Sequence, residues 1–88
     1  MDLQELRGRI DRVDRQLVDL YRQRMEIVAQ ISDYKRAHGL PVYDAEREAE
    51  LLSRVEKLAG ARDAAGVRAM FAALLDASRA YQHAQRGE

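Results

Sequence analysis

Five polar side chains stand on otherwise apolar faces, and their types point to one kind of chemistry. Arg24 falls in the row Leu3, Leu6, Ile10, Val13, Leu17, Leu20, Ile27, Ile31 and Tyr34, whose alternating three-and-four spacing marks a helical seam. Lys35 lies 11 residues further on, three helical turns plus about 20°, so the two cations face the same way. Glu48 precedes Leu51, Leu52 and Val55 at helical spacings and points inward with them. Ser78 and Gln82, one turn apart, continue the line of Phe71 and Leu74. Together they hold more donors than acceptors, a balance suited to an anionic ligand.

An unpartnered buried guanidinium costs on the order of several kcal/mol, so Arg24 requires a counterpart. One solution is internal: Arg24 and Glu48 form a buried ion pair, Lys35 snorkels from a helix end, and Ser78 and Gln82 bond nearby backbone. The other is a polar pocket between three helices that takes its anion from a ligand. Interruption of the apolar face on all three helices favours the pocket. Arg7, 17 residues before Arg24, is about 25 Å away along a straight helix and rotated by about 100°. It cannot reach the same pocket, and alone it reads as a solvated arginine. If two copies of the first helix pair antiparallel, Arg7 of one completes the site of the other.

Other chemistries find no support in the residue pattern. No Ser/His/Asp or Cys/His constellation and no Gly-rich phosphate loop occurs. His38 and His83 are too few and too far apart to hold a metal. Tyr21, Tyr34, Tyr43 and Tyr81 read as core or boundary residues, and Asp14 pairs with Arg7, Arg15 or a group of a second chain.

The elements that must position these residues are all helical. A first helix is expected from Asp2, as cap, to Ala37, on the order of 50 Å long. His38, Gly39, Leu40 and Pro41 stop it, with Gly39 suited to the C-terminal cap. Asp44 caps a second helix ending near Gly60, with Glu46 and Glu48 in or near its first turn and a stripe of Leu51, Leu52, Val55 and Leu58. Asp63 is the expected cap of a third, running to about Gln85 with Val67, Met70, Phe71, Leu74 and Leu75 on its stripe. The two shorter helices cover the long one incompletely, and pairing of the long helices in a homodimer resolves the exposed apolar surface.

The chain of 88 residues is expected to be a single all-α domain, 1–88. Lys plus Arg equals Asp plus Glu at 15 each, so no overall basic field favours nucleic acid or an anionic membrane, and any anion site must be local. Cysteine is absent, which removes disulfides and thiolate metal sites and fits a reducing compartment. With no apolar leader and no run near the ~20 residues of a membrane span, a cytoplasmic protein is expected.

Leu6-Arg7 followed by Ile10 and Asp14, Arg24, Lys35, the Pro41-Val42-Tyr43-Asp44 turn into Arg47-Glu48, and Ser78 with Gln82 after Phe71 occur in this order along nearly the whole chain. In these features the sequence resembles the all-helical (AroQ-type) chorismate mutases, intertwined homodimers of three-helix chains. The resemblance implies cofactor-free, metal-free conversion of chorismate to prephenate, toward phenylalanine and tyrosine. It implies that Arg24 and the second subunit's Arg7 hold the two carboxylates and that Lys35 bridges a carboxylate and the ether oxygen. Gln82 then donates a second hydrogen bond to that oxygen, and Glu48 with backbone at Asp44 holds the ring hydroxyl. Ser78 and Arg47 assist at a ring carboxylate and the wall of the site.

Two departures stand out: the 60–66 connection is a couple of residues shorter than usual, and the chain ends soon after Gln82. The second implies no fused dehydratase, dehydrogenase or regulatory domain, and control by an aromatic amino acid only through a separate activating protein. Within the same fold the rivals are an isochorismate pyruvate-lyase and a mutase for the 4-amino analogue of chorismate. Glu48 and Ser78 favour the mutase over the lyase. A reading of another class is a non-enzymatic helical dimerisation module with Arg24 and Glu48 as its specificity pair.

Overall fold

A computed structural model describes residues 2–88 and contains three helices and no strand among them: α1 Leu3–Ala37, α2 Ala45–Ala59 and α3 Ala64–Gln85. The expected boundaries hold because the end signals act as their chemistry requires. Asp2 accepts from the Glu5 amide at 2.8 Å, and Asp44 accepts from the Arg47 amide at 3.0 Å, each satisfying a free donor of the first turn. At the end of α1, Gly39 has φ 67°, letting the Leu40 amide turn back onto the Lys35 carbonyl at 2.8 Å. This is the Schellman arrangement, for which a residue without Cβ is best suited.

Asp63 behaves differently from expectation. It occupies the position before α3, but its backbone is already near-helical (φ −106°, ψ −2°) and its side chain caps no amide. The carboxylate lies instead 3.4 Å from Arg62 Nε. The short connection is itself a turn, closed by the Asp63 amide on the Gly60 carbonyl at 3.2 Å, which leaves Asp63 without the extended backbone of a capping residue.

α3 packs against both other helices, whereas α1 and α2 do not pack against each other. Cross-links give the directions. Arg24 reaches Ser78 and Arg36 reaches the Gln85 carbonyl, so α1 and α3 run parallel. Glu48 meets Arg79 and Glu56 meets Arg68, so α2 runs antiparallel to α3. The small core is Leu51, Val55 and Leu75, edged by Leu52, Val67 and Phe71, and lies between α2 and α3. Leu58, expected on the same stripe, is 80% exposed because nothing covers α2 at that level.

The seam of α1 is not buried within the chain. Its members from Leu3 to Tyr34 are 43–62% exposed, and the buried residues of α1 are Val28 and Ser32. These belong to a different face, Arg24, Val28, Ser32 and Lys35, turned roughly 100° from the seam where α1 meets α3. Arg24 sits on the border of the two faces. The radius of gyration is 16.1 Å, against about 12 Å for a compact chain of this length. The excess is the N-terminal half of α1, which projects with its apolar seam bare. No helix among the described residues is long and apolar enough to cross a membrane.

Candidate functional site

Three of the expected residues meet directly. Arg24 donates to Ser78 Oγ at 2.6 Å, and Ser78 donates onward to the Leu74 carbonyl at 2.8 Å, so the hydroxyl is satisfied on both sides. Gln82, 6% exposed, donates from Nε2 to the Ser78 carbonyl at 3.3 Å and keeps Oε1 without a partner. The second Nε2 hydrogen is thereby left for another acceptor. The cluster forms because α1 and α3 run parallel, which brings Arg24 level with Ser78.

Lys35 shares the α1 face with Arg24 and donates to the Val42 carbonyl at 2.9 Å. Val42 is itself buried, so the lysine ties the end of α1 to the loop leading into α2. That loop is also held from α3, where Arg86 donates to the Leu40 carbonyl at 2.6 Å.

The internal Arg24–Glu48 ion pair does not form, since α1 and α2 are not in contact. Glu48 points inward from the first turn of α2 as expected, with its side chain 17% exposed, but its partner is Arg79 of α3. Arg79 also bonds Asp76 and lies over the Tyr43 ring, 5.6 Å from its centroid. Its pKa is raised above the ordinary arginine value, first by the hydrogen bond to Glu48, against a smaller opposing effect of burial.

The remaining expected residues lie apart from this cluster. Asp44 caps α2. Arg47 faces solvent and pairs with Glu50 at 3.1 Å, and Glu50 also receives Arg54 at 3.3 Å. Arg7 is exposed on the projecting half of α1, and neither it nor Asp14 has a hydrogen bond or ion pair among the described residues. One unbroken helix separates Arg7 from Arg24 of its own chain.

Two polar residues escaped the sequence reading. Arg79 lies beside the apolar stripe of α3, and only the antiparallel pairing of α2 with α3 brings it to Glu48. Ser32 is completely buried with Oγ unpartnered. Its spacing of four from Val28 and eight from Arg24 was a usable signal, masked by the stronger seam.

An almost wholly apolar groove of about 420 Å³ adjoins the cluster, lined by Leu17, Leu20, Tyr21, Met70, Phe71 and Leu74, with Arg24 at its edge. Its chemistry suits apolar side chains rather than a charged ligand.

These features define an all-α protein whose donor-rich polar cluster lies between parallel helices. The chain belongs to the family described as chorismate mutase type II, whose sequence profile matches residues 6–83. It is 45% identical over 60 residues to the T-protein of Enterobacter agglomerans, covering 68% of this chain and 16% of that protein. It is 32% identical over 56 residues to the chorismate mutase of Methanocaldococcus jannaschii, covering 64% and 57% respectively. With the 4-amino-4-deoxychorismate mutase of Streptomyces pristinaespiralis it shares 35% identity over 57 residues, covering 65% and 44%. The matched segment thus spans only part of each curated relative, and a small part of the T-protein.

Proposed function

We propose that the chain is a chorismate mutase that converts chorismate to prephenate by an intramolecular Claisen rearrangement. The observation that carries this reading is the donor-rich Arg24–Ser78–Gln82 cluster, with Ser78 and Gln82 buried and Arg24 partly so, inside the segment that matches the family. The ether C–O bond of the substrate breaks as a new C–C bond forms at the other end of the same molecule. Every atom is retained, and the reaction calls for no nucleophile or cofactor.

The transition state breaks the C–O bond ahead of C–C formation and gathers negative charge on the ether oxygen. Lys35 and the second Nε2 hydrogen of Gln82 serve that oxygen, and a preorganised donor of this kind is commonly worth roughly 3 kcal/mol. Arg24 takes one carboxylate in its guanidinium fork while Ser78 holds the guanidinium and assists at the ring carboxylate. Glu48, with backbone at Asp44, accepts the ring hydroxyl, and Arg47 forms the outer wall. Clamping both carboxylates holds the flexible substrate in the compact chair-like form that reacts.

The second carboxylate requires Arg7 from another subunit. Bare seams on two copies of α1 pair to form a homodimer, and the apolar groove beside Arg24 receives the partner's side chains. This places the N-terminal half of one α1 beside the middle of the other. We expect Arg7→Ala and Arg24→Ala chains, each nearly inactive alone, to regain activity when mixed, through hybrid dimers with one intact site. No recovery in spite of demonstrated subunit exchange would place Arg7 outside the site. Replacing Ile10, 62% exposed on the seam, with aspartate should halve the mass at sedimentation equilibrium and abolish turnover.

The direct test is an assay of purified protein with product identification. Loss of chorismate with appearance of prephenate is expected; no turnover would leave a helical dimerisation module, and salicylate with pyruvate from isochorismate would indicate the lyase. Retention of the inward carboxylate Glu48 favours a substrate with a ring donor, hydroxyl or amine. The cytoplasm, whose reducing conditions suit a cysteine-free chain, is the proposed setting.

A further inference from the structure

The ion pair on Glu48 has no part in the mechanism above, and its geometry bears on substrate choice. Arg79 reaches Glu48 Oε1 with one guanidinium nitrogen and Asp76 Oδ1 with the other, against the Tyr43 ring. Three neighbours, Glu48 of α2, Asp76 of α3 and Tyr43 of the loop between α1 and α2, thus fix the cation in place. Resting on the reading of Glu48 as acceptor for the ring substituent, we propose that Arg79 makes Glu48 select a neutral hydroxyl over an ammonium at that ring position.

The physical basis is charge cancellation. A carboxylate offers about four lone-pair sites, and Arg79 uses one oxygen, leaving Oε2 to accept from the ligand. A hydroxyl donates to Oε2 without bringing charge. An ammonium would meet the carboxylate with a guanidinium directly behind it. Both side chains of the pair are largely withdrawn from water, so that repulsion is only partly screened. Asp76 offsets little of it, because its side chain is 73% exposed and its charge is screened by solvent. With Arg79 gone, a bare carboxylate would instead form a charge-assisted hydrogen bond with an ammonium, stronger than its bond with a hydroxyl.

The test compares kcat/KM for chorismate and for 4-amino-4-deoxychorismate near neutral pH, where an aliphatic amine is protonated. Wild type should prefer chorismate. Arg79→Gln should shift the ratio of the two constants about tenfold or more toward the amino substrate. Arg79→Lys, which keeps the charge, should stay within about threefold of wild type. Partial unfolding lowers both rates alike and leaves the ratio intact. Arg79→Met, which keeps an apolar stem against Tyr43 and removes the charge, should shift the ratio the same way and serves if Arg79→Gln does not fold.

An unchanged ratio in an Arg79→Gln protein active on chorismate would overturn the proposal, since it would mean that Arg79 only braces the helices or grips a carboxylate common to both substrates. An equal shift in Arg79→Lys would overturn it too, by making shape rather than charge the cause. A wild type idle on chorismate would overturn the proposed function and this inference with it.

Discussion

Arg24→Ala should lower kcat/KM for chorismate by at least about a hundredfold while leaving the helical content and the dimer intact. Within the chain, Arg24 makes one defined contact, on Ser78 Oγ, and that hydroxyl keeps its own bond to the Leu74 carbonyl when the arginine is removed. A net cost of about 1–2 kcal/mol in stability follows from losing one part-buried hydrogen bond from a charged donor. The loss of function should be larger because, in the proposed mechanism, the guanidinium clamps a carboxylate through two parallel N–H groups. Arg24→Lys tests that point: the charge remains but the fork does not, and activity should recover only in part. Turnover near the wild-type level in Arg24→Ala would remove the cluster from the active site. A collapse of helical content would instead make Arg24 a structural residue.

How Arg24 was legible, and what was misread about it, has a physical explanation. Helix ends announce themselves locally, through the capping carboxylates of Asp2 and Asp44 and the positive φ of Gly39, so α1 and α2 follow from short stretches of chain. An apolar periodicity is equally local, but it says only that a face is covered and not by what. The seam from Leu3 to Tyr34 is a true pattern that the chain itself leaves exposed, and the face that α3 covers carries fewer apolar residues, with Ser32 at its middle. Glu48 was correctly read as inward, yet its partner depends on which helices touch. That is decided by α3 lying between α1 and α2, a tertiary fact no spacing encodes. Arg79 was overlooked for the same reason.

Lys35→Ala should also cost at least about a hundredfold in kcat/KM, but with a different signature. In the proposed mechanism Arg24 holds a carboxylate in ground state and transition state alike, so its loss should raise KM as well as lower kcat. Lys35 is proposed to serve an oxygen that becomes negative only as the C–O bond breaks, so its loss should fall mainly on kcat. The ammonium donates to the Val42 carbonyl at 2.9 Å, which uses one of its three donors and leaves two more. That bond also fixes the lysine's reach, because Val42 is buried and the loop is held from the other side by Arg86 on Leu40. The Ala variant therefore loses a loop tether as well as a catalytic donor. Lys35→Gln separates the two: its amide, one bond shorter, still offers an N–H toward the Val42 carbonyl and should keep more of the stability in urea, but lacks the positive charge of the proposed role. Steady-state kinetics on both variants should give equally depressed kcat. Recovery of kcat in Lys35→Gln to near wild type would make the tether, and not the charge, the contribution of Lys35.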